Sequence, residues 1–159
     1  MRYDKEQREL TLEEAKDKAL RLLEFRAHSE KELADKLKRA GAKESDIEEI
    51  LEFCRDYGFV NDRSYALSKA RDLKNLKKYG VRRIKSELYS KGIPAEYIEE
   101  AVSELDYEEN DLLPLVRKKL KGDFEKKNVD KCIRYFIYRG YSFSDIKSCI
   151  ENIKQEYGE

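Results

Sequence analysis

The 159-residue sequence has no tryptophan, two prolines, seven glycines and one histidine. So few turn-formers argue against a turn-rich all-β fold and against collagenous or linker-dominated chains. His28 is the one histidine, and neither C-x-x-C spacing nor a G-x-S-x-G nucleophile motif accompanies it to suggest a His/Cys metal cluster or a Ser-His-Asp triad. It falls just before a helix-capping serine and reads as a turn residue packing against the following helix. Cys54, Cys132 and Cys149 are odd in number and lack C-x-x-C spacing, which fits a reducing compartment better than a disulfide framework. No apolar run approaches the ~20 residues of a membrane helix. Met1-Arg2-Tyr3-Asp4-Lys5-Glu6 carries no secretory h-region, so no membrane partner is expected and the expected address is cytoplasmic. Net charge is also missing, because 34 Lys plus Arg balance 34 Asp plus Glu. That excludes a generally basic nucleic-acid binder, though not a locally basic face.

What is present is charge and helix signal. Charged residues make up 43% of the chain and hydrophobic ones 40%, with a mean hydropathy of -0.89. That is too polar for one large globular core, yet the aliphatics are too regularly mixed in for global disorder. Thr11-x-x-Glu14 is a capping-box pattern ahead of Ala15, Ala19, Leu22 and Leu23, and Ser29-x-x-Glu32 opens a second helix carrying Leu33 and Leu37. Ser45-x-x-Glu48 predicts the start of a third, with Ile47, Ile50, Leu51 and Cys54 inward and Tyr57-Gly58 at its end. A fourth is expected from Asp62 to about Lys77 and a fifth from Val81 to Ser90, and Pro94 sits at the start of the sixth. Three more are expected over Asp111 to Lys121, Val129 to Arg139 and Phe143 to Glu156.

Superposing the chain on Gly41, Gly92 and Gly140 exposes an internal repeat. Eight residues before each lie Leu33, Ile84 and Cys132, and four before lie Leu37, Leu88 and Phe136. Six after come Ile47, Ile98 and Ile146; ten after, Leu51, Val102 and Ile150; thirteen after, Cys54, Leu105 and Ile153. The pattern predicts an all-α fold of three tandem three-helix repeats, stacked into an elongated, curved array with a concave face. The expected divisions are an N-terminal extension over 1–11 and repeats over 12–60, 61–107 and 108–159. The cysteines occupy columns otherwise filled by Leu, Ile or Ala, so they read as small core residues.

No nucleotide-binding loop, metal cluster or nucleophile–base pair is visible, so no cofactor, metal or enzymatic activity is expected. The informative feature is charge segregation. Nine Lys or Arg stand between Lys69 and Lys91 against Asp72 and Glu87, whereas Gly92 to Asp111 holds eight Asp or Glu and no Lys or Arg. Arg71, Lys74, Lys77, Lys78, Arg82, Arg83 and Lys85 form a basic strip that the core, needing only Leu73, Val81, Ile84 and Leu88 here, does not explain. The strip is a candidate surface for a polyanion or an acidic protein face. Against this stands a plainer reading, in which acidic third helices merely neutralise basic neighbours. Tyr79, Tyr89, Tyr135, Tyr138 and Tyr141 are candidates for stacking among these cations or for ordinary half-buried packing.

The residues also carry a family pattern. Ala19-Leu20-Arg21-Leu22-Leu23, then Arg26-x-His28-Ser29-x-x-Glu32-Leu33-x-x-Lys36-Leu37, resembles the opening repeat of the RecX regulators of bacterial recombination. Gly58-Phe59-Val60-Asn61-Asp62-x-x-Tyr65-Ala66 is similar to that family's turn into its second repeat. Tyr79-Gly80-Val81-Arg82-Arg83-Ile84-x-x-Glu87-Leu88-x-x-Lys91-Gly92-Ile93 resembles its most distinctive stretch, with Val81 in place of the family's proline. The resemblance implies a non-enzymatic regulator of homologous recombination and DNA repair. Its partner would be the RecA recombinase filament, with single-stranded DNA inside that filament, whose extension, ATPase, strand-exchange and coprotease activities it would inhibit. The alternatives are a helical DNA-binding module acting directly on nucleic acid, and a helical protein-interaction adaptor.

Overall fold

The computed structural model describes residues 8–108 and 110–158, and within them the chain is helical with no strand. The helices are α1 (Leu12–Phe25), α2 (Glu30–Arg39), α3 (Glu44–Asp56), α4 (Asp62–Asn75), α5 (Val81–Ser90), α6 (Ala95–Ser103), α7 (Leu112–Leu120), α8 (Lys126–Tyr138) and α9 (Phe143–Gly158). They run as tandem triplets. Of the expected N-terminal extension, residues 1–7 lie outside the described residues.

The capping boxes expected at Thr11 and Ser29 both form, each side-chain oxygen accepting from the N3 amide while the N3 glutamate accepts from the cap amide. The one expected at Ser45 does not. Here α3 starts at Glu44, capped by the extended backbone of Lys43 without a side-chain bond. Ala42 donates to the Leu37 carbonyl, so the turn leaving α2 is short and the helix begins before Ser45 is reached. Glu44 and Asp46 then supply negative charge to the first turn, where the helix dipole favours it.

Two other boundaries shift for identifiable reasons. Helix α4 stops at Asn75 because Lys78 turns left-handed at φ 58°. The Lys78 amide donates to the Lys74 carbonyl at 3.1 Å, the bond of an αL cap, and the Tyr79 amide reaches back to the Leu73 carbonyl at 3.1 Å, closing the last turn. Helix α8 begins at Lys126, ahead of the expected Val129, because Asn128 donates to the carbonyls of Leu120 and Asp123 at 3.0 and 2.8 Å. The polar first turn thus carries no apolar period to announce it.

The chain divides into two compact units. One holds the residues up to Ser68 together with Leu88–Ile98; the other holds Lys69–Glu87 together with the residues from Glu99 onward. In the first, Ala15, Ala19, Leu33, Leu37, Ile47, Ile50, Cys54 and Val60 form the buried cluster, the two alanines letting α1 lie close on α2 and α3. In the second, Leu112, Val116, Leu120, Cys132, Phe136, Ile146, Cys149, Ile150 and Ile153 do so. Burying each Leu, Ile or Phe contributes roughly 1.5–3 kcal/mol. All three cysteines are buried and free, and burial pushes their thiols above the ordinary value.

The aligned columns are graded by burial. Those at eight and four residues before each glycine, and six after, are buried in all three triplets. The column ten after is only half-buried in Leu51 and Val102. The column nine after, Ile50, Ala101 and Cys149, is buried throughout.

Candidate functional site

The basic strip runs from the end of α4 (Arg71, Lys74) through the following turn (Lys77, Lys78) to the first turns of α5 (Arg82, Arg83, Lys85), and backbone hydrogen bonds dock the start of α5. Gly80 donates to the Arg139 carbonyl at 2.8 Å and the Arg82 amide to the Gly140 carbonyl at 3.2 Å. The preceding turn is fixed from three sides. The Tyr141 hydroxyl donates to the Lys78 carbonyl at 2.8 Å, the Tyr107 hydroxyl to the Tyr79 carbonyl at 2.6 Å, and Arg139 to the Lys77 carbonyl. Burial raises the pKa of both Tyr107 and Tyr141, so these hydroxyls stay protonated donors.

Within this frame the seven cations separate into three groups. Arg71, Lys74 and Lys85 face the acidic segment: Arg71 lies 3.8 Å from Glu104, Lys85 lies 3.0 Å from Glu99, and Lys74 donates to the Asp106 carbonyl above the Tyr107 ring. Arg71 and Lys85 thus have the acidic partners that the neutralising reading expects, whereas Lys74 meets a backbone carbonyl and a ring. Arg83 is half-buried, donating from Nε to Glu87 at 3.0 Å and from Nη1 to the Tyr138 carbonyl at 3.4 Å. Hydrogen bonds to Tyr138 and Glu87 raise its pKa, which keeps the guanidinium charged. Lys77, Lys78 and Arg82 are exposed. Arg82 and Lys85 also line one wall of a groove of about 680 Å³, with Tyr107, Gly140, Tyr141 and Asp145 among its other residues.

Three residues of this site escape a reading based on charge runs. Arg139, Tyr107 and Lys119 lie outside the 71–85 stretch, yet Arg139 stacks on both Tyr79 and Tyr135, and Lys119 sits 4.1 Å from the Tyr135 ring centre. For Arg139 the repeat register held a signal: it precedes Gly140 as Lys91 precedes Gly92. Tyr89 is exposed, at 78%.

A second polar cluster lies in the other unit, where the Arg26-to-Lys36 motif folds on itself. His28 is buried at 2% exposure, its Nδ1 2.9 Å from the Arg26 carbonyl and its Nε2 2.8 Å from Lys36 Nζ. Desolvation lowers its pKa and Arg26 and Lys36 push the same way, so it stays neutral, with Nδ1 donating and Nε2 accepting from Lys36. His28 is therefore the packed turn residue its position suggested. Glu32 gathers Arg26 at 3.0 Å and Lys91 at 3.4 Å. Burial would raise its pKa, but hydrogen bonds from Arg26, Tyr65 and the Ser29 amide, with the Lys91 charge, hold it at about 2. Among the described residues no group of three His, Cys, Asp or Glu is placed to hold a metal, and no helix is long and apolar enough to cross a membrane.

Comparison with known proteins gives concordant results. Family models described as "RecX, first three-helix domain" and "RecX, second three-helix domain" match residues 15–54 and 61–102. A regulatory protein RecX of Vibrio campbellii is 38% identical over 138 residues, covering 83% of this chain and 86% of that protein. One from Clostridioides difficile is 36% identical over 144 residues, covering 87% of this chain and 68% of that protein. The crystal structure of RecX from Lactobacillus salivarius superposes with a TM-score of 0.74 at 25% identity, covering 91% of this chain and 97% of that one.

Proposed function

From the premise that this chain belongs to the RecX family of regulatory proteins, we propose that it is a non-enzymatic, cytoplasmic regulator of homologous recombination. It binds the RecA–single-stranded-DNA filament and restrains filament extension, ATP hydrolysis, strand exchange and coprotease activity. Family membership carries this reading. The surface that meets the filament is the strip Arg71, Lys74, Lys77, Lys78, Arg82, Arg83 and Lys85, with Lys77, Lys78 and Arg82 making the intermolecular contacts. Their exposure supports that assignment. A polymer with a polyanionic strand offers many repeated weak sites, and exposed cations on short helices and their turns suit such contacts better than a deep pocket does.

The test is DNA-dependent ATP hydrolysis by the cognate recombinase, with and without the protein. The expected result is a dose-dependent fall in hydrolysis when the protein is added to preformed or growing filaments. Unchanged hydrolysis at saturating protein would reject the proposal. Turnover of ATP by the purified chain alone, lost in a point mutant of the chain, would reject its non-enzymatic part.

A further inference from the structure

Around the α5 N-terminus, six side chains from α7, α8, α5 and the turn before α5 alternate cation and ring. Lys119 Nζ sits 4.1 Å from the Tyr135 ring centre and Arg139 lies 5.3 Å from the same ring. Arg139 is also 5.0 Å from the Tyr79 ring, Arg83 is 5.0 Å from Tyr79, and Arg83 is 4.6 Å from Tyr138. The order is thus Lys119, Tyr135, Arg139, Tyr79, Arg83, Tyr138. The last rung is 71% exposed and Tyr135 is 39% exposed. Core packing accounts for little of the two α8 rings: Tyr138 is largely exposed, and Tyr135 stands edge-on to the buried Phe136 with ring centres 5.0 Å apart.

We propose that this ladder is a base-stacking platform for single-stranded nucleic acid, with Tyr138 and Tyr135 receiving unpaired bases and Arg83, Arg139 and Lys119 receiving the intervening phosphates. A single strand presents alternating π faces and negative charges, which the ladder matches in kind and in order. The cations hold the rings in place before binding, which lowers the ordering cost of the contact. Lys77, Lys78 and Arg82 are exposed nearby in the chain and extend the attraction for the backbone. A duplex has its base faces stacked internally and offers the rings nothing, so the platform selects single strands. The inference rests on the reading that the partner filament contains such a strand, and it adds the side chains that touch it.

Direct binding by the full chain separates this from filament regulation, because no recombinase is present. Fluorescence anisotropy would compare a labelled thymidine oligonucleotide of about 20 residues with an abasic phosphodiester chain of equal length, at low salt. Wild type is expected to bind the thymidine strand about tenfold tighter than the abasic one. Combined Tyr135→Ala and Tyr138→Ala should remove that preference while leaving abasic binding unchanged; Tyr135→Phe with Tyr138→Phe should retain it. Equal affinity of wild type for the two strands overturns the proposal, as does no binding of the thymidine strand. An equal loss on both strands in the alanine variant overturns it too, since the rings would then only be holding arginines for phosphate. Any of these outcomes leaves the ATPase test of filament regulation standing on its own result.

Discussion

Ser29 and Lys91, sixty-two positions apart, are joined by a 2.7 Å hydrogen bond from the serine Oγ to the lysine carbonyl. The second compact unit repeats this tie with different atoms. Ser29 stands twelve residues before Gly41 and Gly80 twelve before Gly92; Lys91 and Arg139 each immediately precede a column glycine. Where Ser29 donates from its side chain to Lys91, Gly80 donates from its amide to Arg139 at 2.8 Å. One docking geometry is thus met once by a hydroxyl and once by bare backbone. In each case the start of one triplet's second helix satisfies a carbonyl just beyond the end of the next triplet's second helix.

Ser29 therefore has two roles, cap and tie, while Thr11 has only the first. Ser29 is fully buried, so Ser29→Ala removes the cap of α2 and leaves the Lys91 carbonyl without its donor. The expected cost is ~2–3 kcal/mol. Thr11→Ala forfeits an exposed capping box alone, and the expected cost is ~0.5–1 kcal/mol. Urea titrations of the two variants measure the difference; equal costs would show that the tie contributes nothing.

The backbone version of the tie depends on two glycines. Gly140 adopts φ 101°, and a Cβ there would lie 2.8 Å from the Gly80 carbonyl oxygen; a Cβ on Gly80 would lie 2.5 Å from the Gly140 carbonyl oxygen. Both obstacles are backbone and neither can step aside. Gly140→Ala should cost ~3 kcal/mol or more, combining left-handed strain with the clash. Gly58→Ala is the control: φ is 71° but nothing lies within 4 Å of its Cβ, so only the strain of ~1 kcal/mol is expected. Near-equal melting temperatures for the two variants would refute the close approach.

These cases show what the sequence makes legible. Helix identity, the Thr11 and Ser29 caps, the buried cysteines and the buried columns follow from local rules: a 3.6-residue period and a polar cap. The Ser45 cap failed because a capping box is a four-residue pattern, whereas the actual start depends on how tightly the chain turns after Ala40. The strip was visible as a count of charges. Its division into paired Arg71 and Lys85, Lys74 on a backbone carbonyl, stacked Arg83 and exposed Lys77, Lys78 and Arg82 was not, because the partners Glu99, Glu104, Asp106 and Tyr138 are distant in sequence. Arg139 was missed for the same reason.

Glu32 makes the fold acid-sensitive in a defined window. Its folded pKa of about 2 lies below the ordinary 4.5, so its contribution is fully present above about pH 4.5 and is lost as pH falls through about 2. Asp62, which accepts from the Glu30 amide at 2.9 Å, works in the opposite sense, since burial raises its pKa. Subtracting the stability of Glu32→Gln from that of wild type isolates the glutamate. The difference should be constant from about pH 7 to pH 5 and should shrink steadily toward pH 2. A difference that does not change over that range would mean that Glu32 is not held as an anion by Arg26 and Lys91.

The exposed cations of the strip and the paired ones lead to separate expectations for filament binding. Lys77, Lys78 and Arg82 are free to meet an external anion, while Arg71 and Lys85 already face Glu104 and Glu99. Exposed pairs of this kind are weak, so an incoming phosphate competes with them on modest terms. The charge nevertheless starts partly neutralised, and its reversal should matter less. Lys77→Glu, Lys78→Glu and Arg82→Glu combined should cost ~2–4 kcal/mol of filament affinity and flatten the salt dependence of binding. Arg71→Glu with Lys85→Glu should cost less than half as much, and reversal of Lys16, Lys18 and Lys154, outside the strip, should cost nothing measurable. Circular dichroism guards against unfolding, since none of the substituted residues is buried in the core. If the first set binds the filament as tightly as wild type, the strip is a solvated face and its charge serves only the fold. If the second set loses as much as the first, the Glu99 and Glu104 pairs open on binding, and all seven cations then act as one surface.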